Sequence, residues 1–310
     1  MDDDLAGGEG SIVVAAPASA SRVRIPDRLI ARRHRILAGL LVAPTAGWTL
    51  VFFVAPLILI TVFSFASENL VTFNVSFGWT ASNYGAFGGS LYLWTLLRSV
   101  GLSLGTTLGC AVLGLPLAYF ITRQRPGVQR ILLACVIVPF WTSFLVRTYS
   151  WVNLLQSGGP LDRLAQGLTG HRFEVLYTPT SIAIGIVYSY LPLMVLPIYV
   201  ALERVNPDLY DVAADLGARP WRQFRRVVLP LARPGLIAGI IIVGVPAMGE
   251  YVIPEILGGG KTLMIGNIIV SEFLDVGNYP FGSALAVSLM TILMIMLFAL
   301  RRVQPALEAR

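Results

Sequence analysis

The stretch Leu236–Leu257 reads LIAGIIIVGVPAMGEYVIPEIL. It is long enough to cross a hydrocarbon core as a helix, which takes about 20 apolar residues. Glu250 lies inside it, and Pro246, Gly249 and Pro254 interrupt it. Five more stretches share its character: Ile36–Phe65, Leu93–Thr122, Ile131–Leu155, Ser181–Leu202 and Phe281–Leu300. Backbone polar groups in lipid must be satisfied within their own segment, so each stretch is expected to be a helix. Composition agrees: 55% of residues are hydrophobic and 13% charged, too little charge to cover a soluble domain. The alternating pattern of a membrane barrel is absent. The expected fold is an all-α membrane protein of six spans.

Basic residues set the expected orientation. One side carries Arg22, Arg24, Arg28, Arg32, Arg33, Arg35, Arg123, Arg125 and Arg130. Arg204, Arg219, Arg222, Arg225, Arg226, Arg233, Arg301, Arg302 and Arg310 share it. The other side carries Arg163, Arg172 and Lys261, with Arg98 at a helix start. The positive-inside rule then puts both termini in the cytoplasm. The net charge of +6 follows from topology and calls for no nucleic acid. Residues 1–35 read as a polar, disordered cytoplasmic tail and residues 36–310 as the membrane domain. No cleavable signal peptide is expected, since the first apolar run is too long for one.

The loops differ in kind. Leu263–Phe273, after Gly258-Gly259-Gly260, is apolar but too short to span, and reads as a re-entrant or interfacial helix. Glu203–Arg233 is far longer than a helix–helix connection needs. Asn206-Pro207-Asp208 opens it as a turn or cap, and Tyr210, Val212, Ala213 and Leu216 follow at helical spacing. Gly217 closes that piece, and a second piece, Pro220–Leu229, is ended by Pro230. Two short amphipathic helices on the basic side either lie on anionic lipid or dock a cytoplasmic partner.

This loop carries a resemblance. Asp211-Val212-Ala213-Ala214-Asp215-Leu216-Gly217 and Val227-Val228-Leu229-Pro230 resemble the EAA loop of type I ATP-binding-cassette importer permeases. Gly217 and Pro230 keep the family spacing, while Asp211 stands for its Glu, Val212 for its first Ala and Val227 for its Ile. Val138-Pro139-Phe140-Trp141-Thr142-Ser143 with Arg147-Thr148-Tyr149-Ser150-Trp151 looks like the third helix of the spermidine/putrescine branch. Gly249-Glu250-Tyr251-Val252-Ile253-Pro254 and Leu263-Met264-Ile265-Gly266-Asn267 continue that likeness.

The resemblance implies a type I permease fold in the bacterial inner membrane. It implies a second homologous permease, two cytoplasmic ATPase subunits and an extracytoplasmic substrate-binding protein. Asp211, Ala213, Gly217, Leu229 and Pro230 are the implied ATPase-coupling residues, within the loop 203–233. The sequence has no Gly-x-x-x-x-Gly-Lys-Ser/Thr phosphate loop, so ATP and magnesium are expected on the ATPase chain. The chain itself is expected to be no enzyme and to bind no cofactor or metal.

For the substrate path, an acid inside a span is a functional candidate. Glu250 lies roughly 21 Å above Leu236 in a regular helix. A polyamine cation suits a carboxylate near aromatic faces, and Tyr251, Trp141, Tyr188 and Tyr190 are the candidate ring donors. The competing reading pairs Glu250 with Arg147, which a straight third span would lift roughly 24 Å above Ile131. Gly101, Gly105 and Gly109 read as a close helix contact, within the chain or to the second permease. Pro116, Pro139, Pro192 and Pro197 read as kinks. Cys110 and Cys135, roughly 18 and 6 Å from the cytoplasmic helix ends, lie at different depths, which argues against a disulfide. Two further function classes stay open: the same importer type for an amino-acid derivative or opine, and an ion-driven secondary transporter.

Overall fold

A computed structural model describes residues 42–69, 74–87, 89–206 and 208–308. The expected tail, residues 1–35, lies outside the described residues, as does the start of the first span. The first apolar helix, α1, runs Val42–Phe63, with a wider turn at Leu50–Val54. Its residues up to Pro56 belong to one compact unit, in which the Trp48 and Phe52 rings meet tilted at 4.2 Å. The second unit is Leu57–Arg310.

In the second unit, a short hairpin pairs β1 (Ser67–Asn69) with β2 (Asn74–Ser76), and Ser67 faces Ser76 in its register. Helix α2 (Ser82–Phe87) follows, then α3 (Ser90–Thr122). Next come α4 (Pro126–Ile137), α5 (Phe144–Leu155), α6 (Pro160–Thr169) and α7 (Pro179–Glu203). After α8 (Asp208–Asp215), α9 runs from Pro220 to Met248. The short α10 (Val252–Gly258) and α11 (Ile265–Ser271) precede α12 (Tyr279–Glu308). Five helices are long and apolar enough to cross a membrane; the bent pair Pro126–Trp141 and Phe144–Thr169 makes six when counted as one span. The helical membrane fold is as expected, with the small hairpin added.

Three of the expected segments differ. The third span is not straight: its halves meet at 96°. Pro139 sits in a tight turn, Val138–Trp141, and Thr142 and Ser143 are non-helical between the two helices. A proline cannot supply the amide that a continuous helix needs there, and it clashes with the turn before it. The fifth span ends at Met248 and resumes as α10, so Leu236–Leu257 is two helices with Glu250 at the break. Pro230 does not end the second loop helix. Phe224–Val228 forms a wider π-type turn just before it, and the helix runs on. The wider turn leaves room for the proline ring that a regular turn lacks.

Helices α3, α7 and α9 form the centre. Cys110, Ile121, Met194, Ile198, Leu202, Val228 and Val243 interlock there, all buried. Close approach comes from α9. A Cβ on Gly235 would stand 2.8 Å from both Ala201 Cβ and Ile198 Cα, and one on Gly239 would meet the sulfur of Met194. Only glycine lets these backbones approach so far. On α3, a Cβ on Gly109 would crowd Val187 of α7 at 3.2 Å, closer than ordinary contact, while one on Gly101 or Gly105 meets nothing within 4 Å. Helices α3 and α7 run through Pro116, Pro192 and Pro197 without a break. Both cysteines are free, Cys110 buried and Cys135 exposed.

Candidate functional site

The loop after α7 presents the first candidate surface. The Asp208 amide is capped by the Asn206 side chain at 3.1 Å. Helix α8 then closes on Gly217, whose φ of 75° lies in the left-handed region, and the Ala218 amide reaches back to the Ala213 carbonyl at 3.0 Å. That is a Schellman ending, which glycine enters without Cβ strain. The bend leaves apolar side chains uncovered: Leu216 is 83% and Trp221 72% exposed, with Leu209 and Val212 also exposed. Trp221 stacks on Phe224 at 5.7 Å, and Phe224 meets Tyr119 of α3 at 6.0 Å. The five coupling residues split. Asp211, Ala213 and Gly217 lie on α8 and its ending; Leu229 and Pro230 lie inside α9, with Leu229 packed against the central core.

The second candidate is the break at Glu250. Its side chain is 8% exposed. One carboxylate oxygen accepts the Tyr190 hydroxyl at 2.7 Å, and the other accepts the amides of Val252 at 3.1 Å and Ile253 at 3.4 Å. These amides open α10, so the carboxylate sits at the positive end of a helix. Glu250 and Arg147 form no ion pair among the described residues, where Arg172 and Glu174 at 3.9 Å are the ion pair found. The 96° bend removes the straight rise that would have put Arg147 at the height of Glu250.

Arg147 instead lies among rings. Its guanidinium is 5.4 Å from the Phe140 ring, 5.8 Å from Phe144 and 6.0 Å from Tyr188, and it donates to the Pro139 carbonyl at 3.0 Å. Its Nε is buried without a partner among the described residues. Tyr188 also meets Trp151 edge-on at 5.2 Å. The candidate aromatics therefore divide. Tyr190 belongs with Glu250, Tyr188 belongs with Arg147, and Trp141, 83% exposed, lies in the turn at the bend. Tyr188 and Tyr190 are two residues apart on one helix, so they face nearly opposite directions.

Beyond the break lies a cleft of about 410 Å³ lined by Tyr251, Glu255, Asn267, Ser271, Glu272 and Asp275, with Leu263, Ile268 and Val270 as its apolar wall. Asn267 is its keystone: its amide donates to the Tyr251 carbonyl at 3.0 Å and to Glu255 at 2.8 Å. Burial pushes the Glu272 carboxyl above the ordinary carboxylate value. A cleft with three carboxylates and one aromatic ring suits a cation of several ångströms' length. Of the sequence-read residues only Tyr251 is in it. Glu255 lies within the expected fifth span, Glu272 within Leu263–Phe273 and Asp275 just after it; their convergence depends on the fold of α11. Among the described residues no group of three or more His, Cys, Asp or Glu could hold a metal ion.

A long central helix trio, a broken span at an acid and an exposed two-helix loop are the parts of a multi-pass transport subunit. Residues 111–309 match the family described as binding-protein-dependent transport system inner membrane component. The chain belongs to that family and is an inner-membrane permease subunit. It is 35% identical over 272 residues to the spermidine/putrescine transport system permease protein PotB of Escherichia coli (strain K12), covering 87% of this chain and 98% of that one. It is 35% identical to PotB of Haemophilus influenzae (strain ATCC 51907 / DSM 11121 / KW20 / Rd), covering 87% and 94%. The fold matches a chain in the crystal structure of a bacterial alginate ABC transporter in complex with alginate pentasaccharide-bound periplasmic protein. That match has a TM-score of 0.70 at 17% identity, over 88% of this chain and 94% of that one.

Proposed function

We propose that this chain is a channel-forming subunit of an ATP-binding-cassette importer that carries polyamines, spermidine and putrescine, across the inner membrane. The observation that carries this reading is the 35% identity to PotB over 98% of that protein's length. The acidic cleft beside Tyr251 supports it, since a polyamine is a flexible polycation.

The chain works as part of a larger machine. A second, homologous permease completes the channel within the lipid bilayer, and an extracytoplasmic binding protein delivers the solute. Two cytoplasmic ATPase subunits, holding ATP and magnesium, dock on the α8 surface. Asp211, Ala213 and Gly217 shape that surface, and Leu229 and Pro230 root it in the helix core. The exposure of Leu216 and Trp221 supports docking, because an uncovered apolar face of this kind wants a partner. The arginines of this loop support a cytoplasmic position for it and for both termini. ATP hydrolysis belongs to the partner chain, and this subunit catalyses no reaction.

Co-purification in detergent tests the docking. The chain is co-expressed with the ATPase of a polyamine importer, as wild type and as Gly217→Arg. The substitution forces a side chain onto a φ of 75° and distorts the bend. Retention by wild type and loss from the variant is the expected result. A folded wild type that retains no ATPase would favour a helix lying on lipid and an ion-driven transporter.

A further inference from the structure

Helix α9 links the two candidate surfaces. It starts at Pro220, beside the exposed loop, and runs unbroken for 29 residues to Met248. At 1.5 Å per residue that is about 43 Å of continuous helix. It ends at Gly249 and Glu250, where the chain turns into α10, which carries Glu255 at the acidic cleft. The loop end of α9 therefore has a continuous helical path to this break.

The break is held on several sides. Tyr190 of α7 and the first amides of α10 occupy both oxygens of Glu250. From α11, the Gly266 backbone lies against the turn so closely that a Cβ there would stand 2.7 Å from the Gly249 carbonyl oxygen and 3.0 Å from that of Glu250. Asn267 ties the Tyr251 carbonyl to Glu255.

Three donors on a carboxylate that is 8% exposed leave little room for a cation. The negative charge is already balanced by the helix end and the tyrosine hydroxyl. We infer that Glu250 is the pin of a joint between α9 and α10: a positioning residue that transmits movement of the coupling loop to the acidic cleft, and not a ligand for the transported cation. The inference rests on the importer reading above and assigns the cation to the cleft instead.

The test uses the reconstituted complex of both permeases, ATPase and binding protein. Wild type, Glu250→Gln, Glu250→Ala and Tyr190→Phe are compared for putrescine uptake against concentration and for ATP hydrolysis. Glu250→Gln keeps an acceptor for the α10 amides and a partner for Tyr190, so it stays within about twofold of wild type in both half-saturation and maximal uptake. Glu250→Ala and Tyr190→Phe lower maximal uptake about fivefold or more at unchanged half-saturation, while ATP hydrolysis continues. A rise of about tenfold in half-saturation for Glu250→Gln at unchanged maximal rate would make the charge a substrate ligand and overturn the inference. Uptake and hydrolysis falling together in assembled Tyr190→Phe complex would overturn it too.

If Glu250→Ala fails to assemble, Tyr190→Phe, which removes one hydroxyl, carries the test. A wild-type complex that takes up no putrescine would instead sink the polyamine reading. The joint is then read by hydrogen exchange of the Val252 and Ile253 amides in the permease. Faster exchange in Tyr190→Phe supports the pin, and unchanged exchange refutes it.

Discussion

Replacing Gly235 with alanine tests the packing of the helix centre. The new Cβ would stand 2.8 Å from Ala201 Cβ and Ile198 Cα, where ordinary contact begins at 3.4 Å, and against the Pro197 carbonyl as well. Two of these three neighbours are backbone atoms, so no flexible side chain can swing aside. Helices α7 and α9 must part by at least about 0.6 Å, and a gap of that size forfeits roughly a quarter of the dispersion well across the seam. Overpacking of this kind costs about 1–3 kcal/mol. Alanine also favours the helix over glycine by up to about 1 kcal/mol, which works the other way. Gly101→Ala supplies the control, because it brings the same helix gain and its Cβ meets nothing within 4 Å. The difference between the two variants isolates the clash. The assay is unfolding in mixed detergent micelles, followed by tryptophan fluorescence. Gly235→Ala is expected to be less stable than Gly101→Ala by about 1–3 kcal/mol. Equal stability of the two would refute the close approach of α7 and α9.

Two further outcomes follow from the loop segments. The Glu272 carboxyl titrates above its ordinary 4.5 because burial disfavours its charge. The folded state therefore binds more protons than the unfolded one between 4.5 and the raised value, and stability falls as pH rises through that window. Glu272→Gln should abolish this fall; thermal melts across the window in which wild type and variant slope alike would contradict it. Asp162, 2% exposed, accepts the Gly158 amide at 2.8 Å and the Phe173 amide at 2.7 Å, tying both ends of the segment around α6. Asp162→Ala should speed proteolytic cleavage between Gln156 and Thr178, and an unchanged cleavage rate would show that the segment is held by other contacts.

Much of the architecture was legible because lipid allows few solutions. A run such as Ser181–Leu202 has to be a helix, and α7 is one from Pro179 to Glu203. Gly217 as a helix ending was legible too, since glycine after a helical repeat is the common signal for a left-handed residue. Proline was the weak point. Pro116, Pro192 and Pro197 sit inside continuous helices, while Pro139 lies in the tight turn just before a right-angled bend and Pro230 follows a wider turn. The same residue type gives three outcomes because neighbouring helices decide whether the lost hydrogen bond is made good.

The site was less legible for a related reason. Glu250 stood out as an acid in an apolar run, but its partners come from an adjacent helix and from its own broken turn, which no spacing rule connects. The pairing with Arg147 assumed a straight third span, and that assumption failed with the bend. Glycine spacing was overlooked in one place. Gly101 and Gly105 face open space in this chain, while Gly235 and Gly239, with the same spacing, make the close contact. A four-residue glycine spacing marks a smooth helix face and does not say what covers it.

The central claim is that this chain forms a polyamine channel driven by a separate ATPase. Proteoliposomes containing the chain, its second permease and the ATPase, with the binding protein added outside, test it most directly through uptake of labelled putrescine. The account predicts uptake that requires ATP and the ATPase, and that unlabelled spermidine suppresses. Uptake that continues without the ATPase, or that spermidine and unlabelled putrescine leave unchanged, would contradict it.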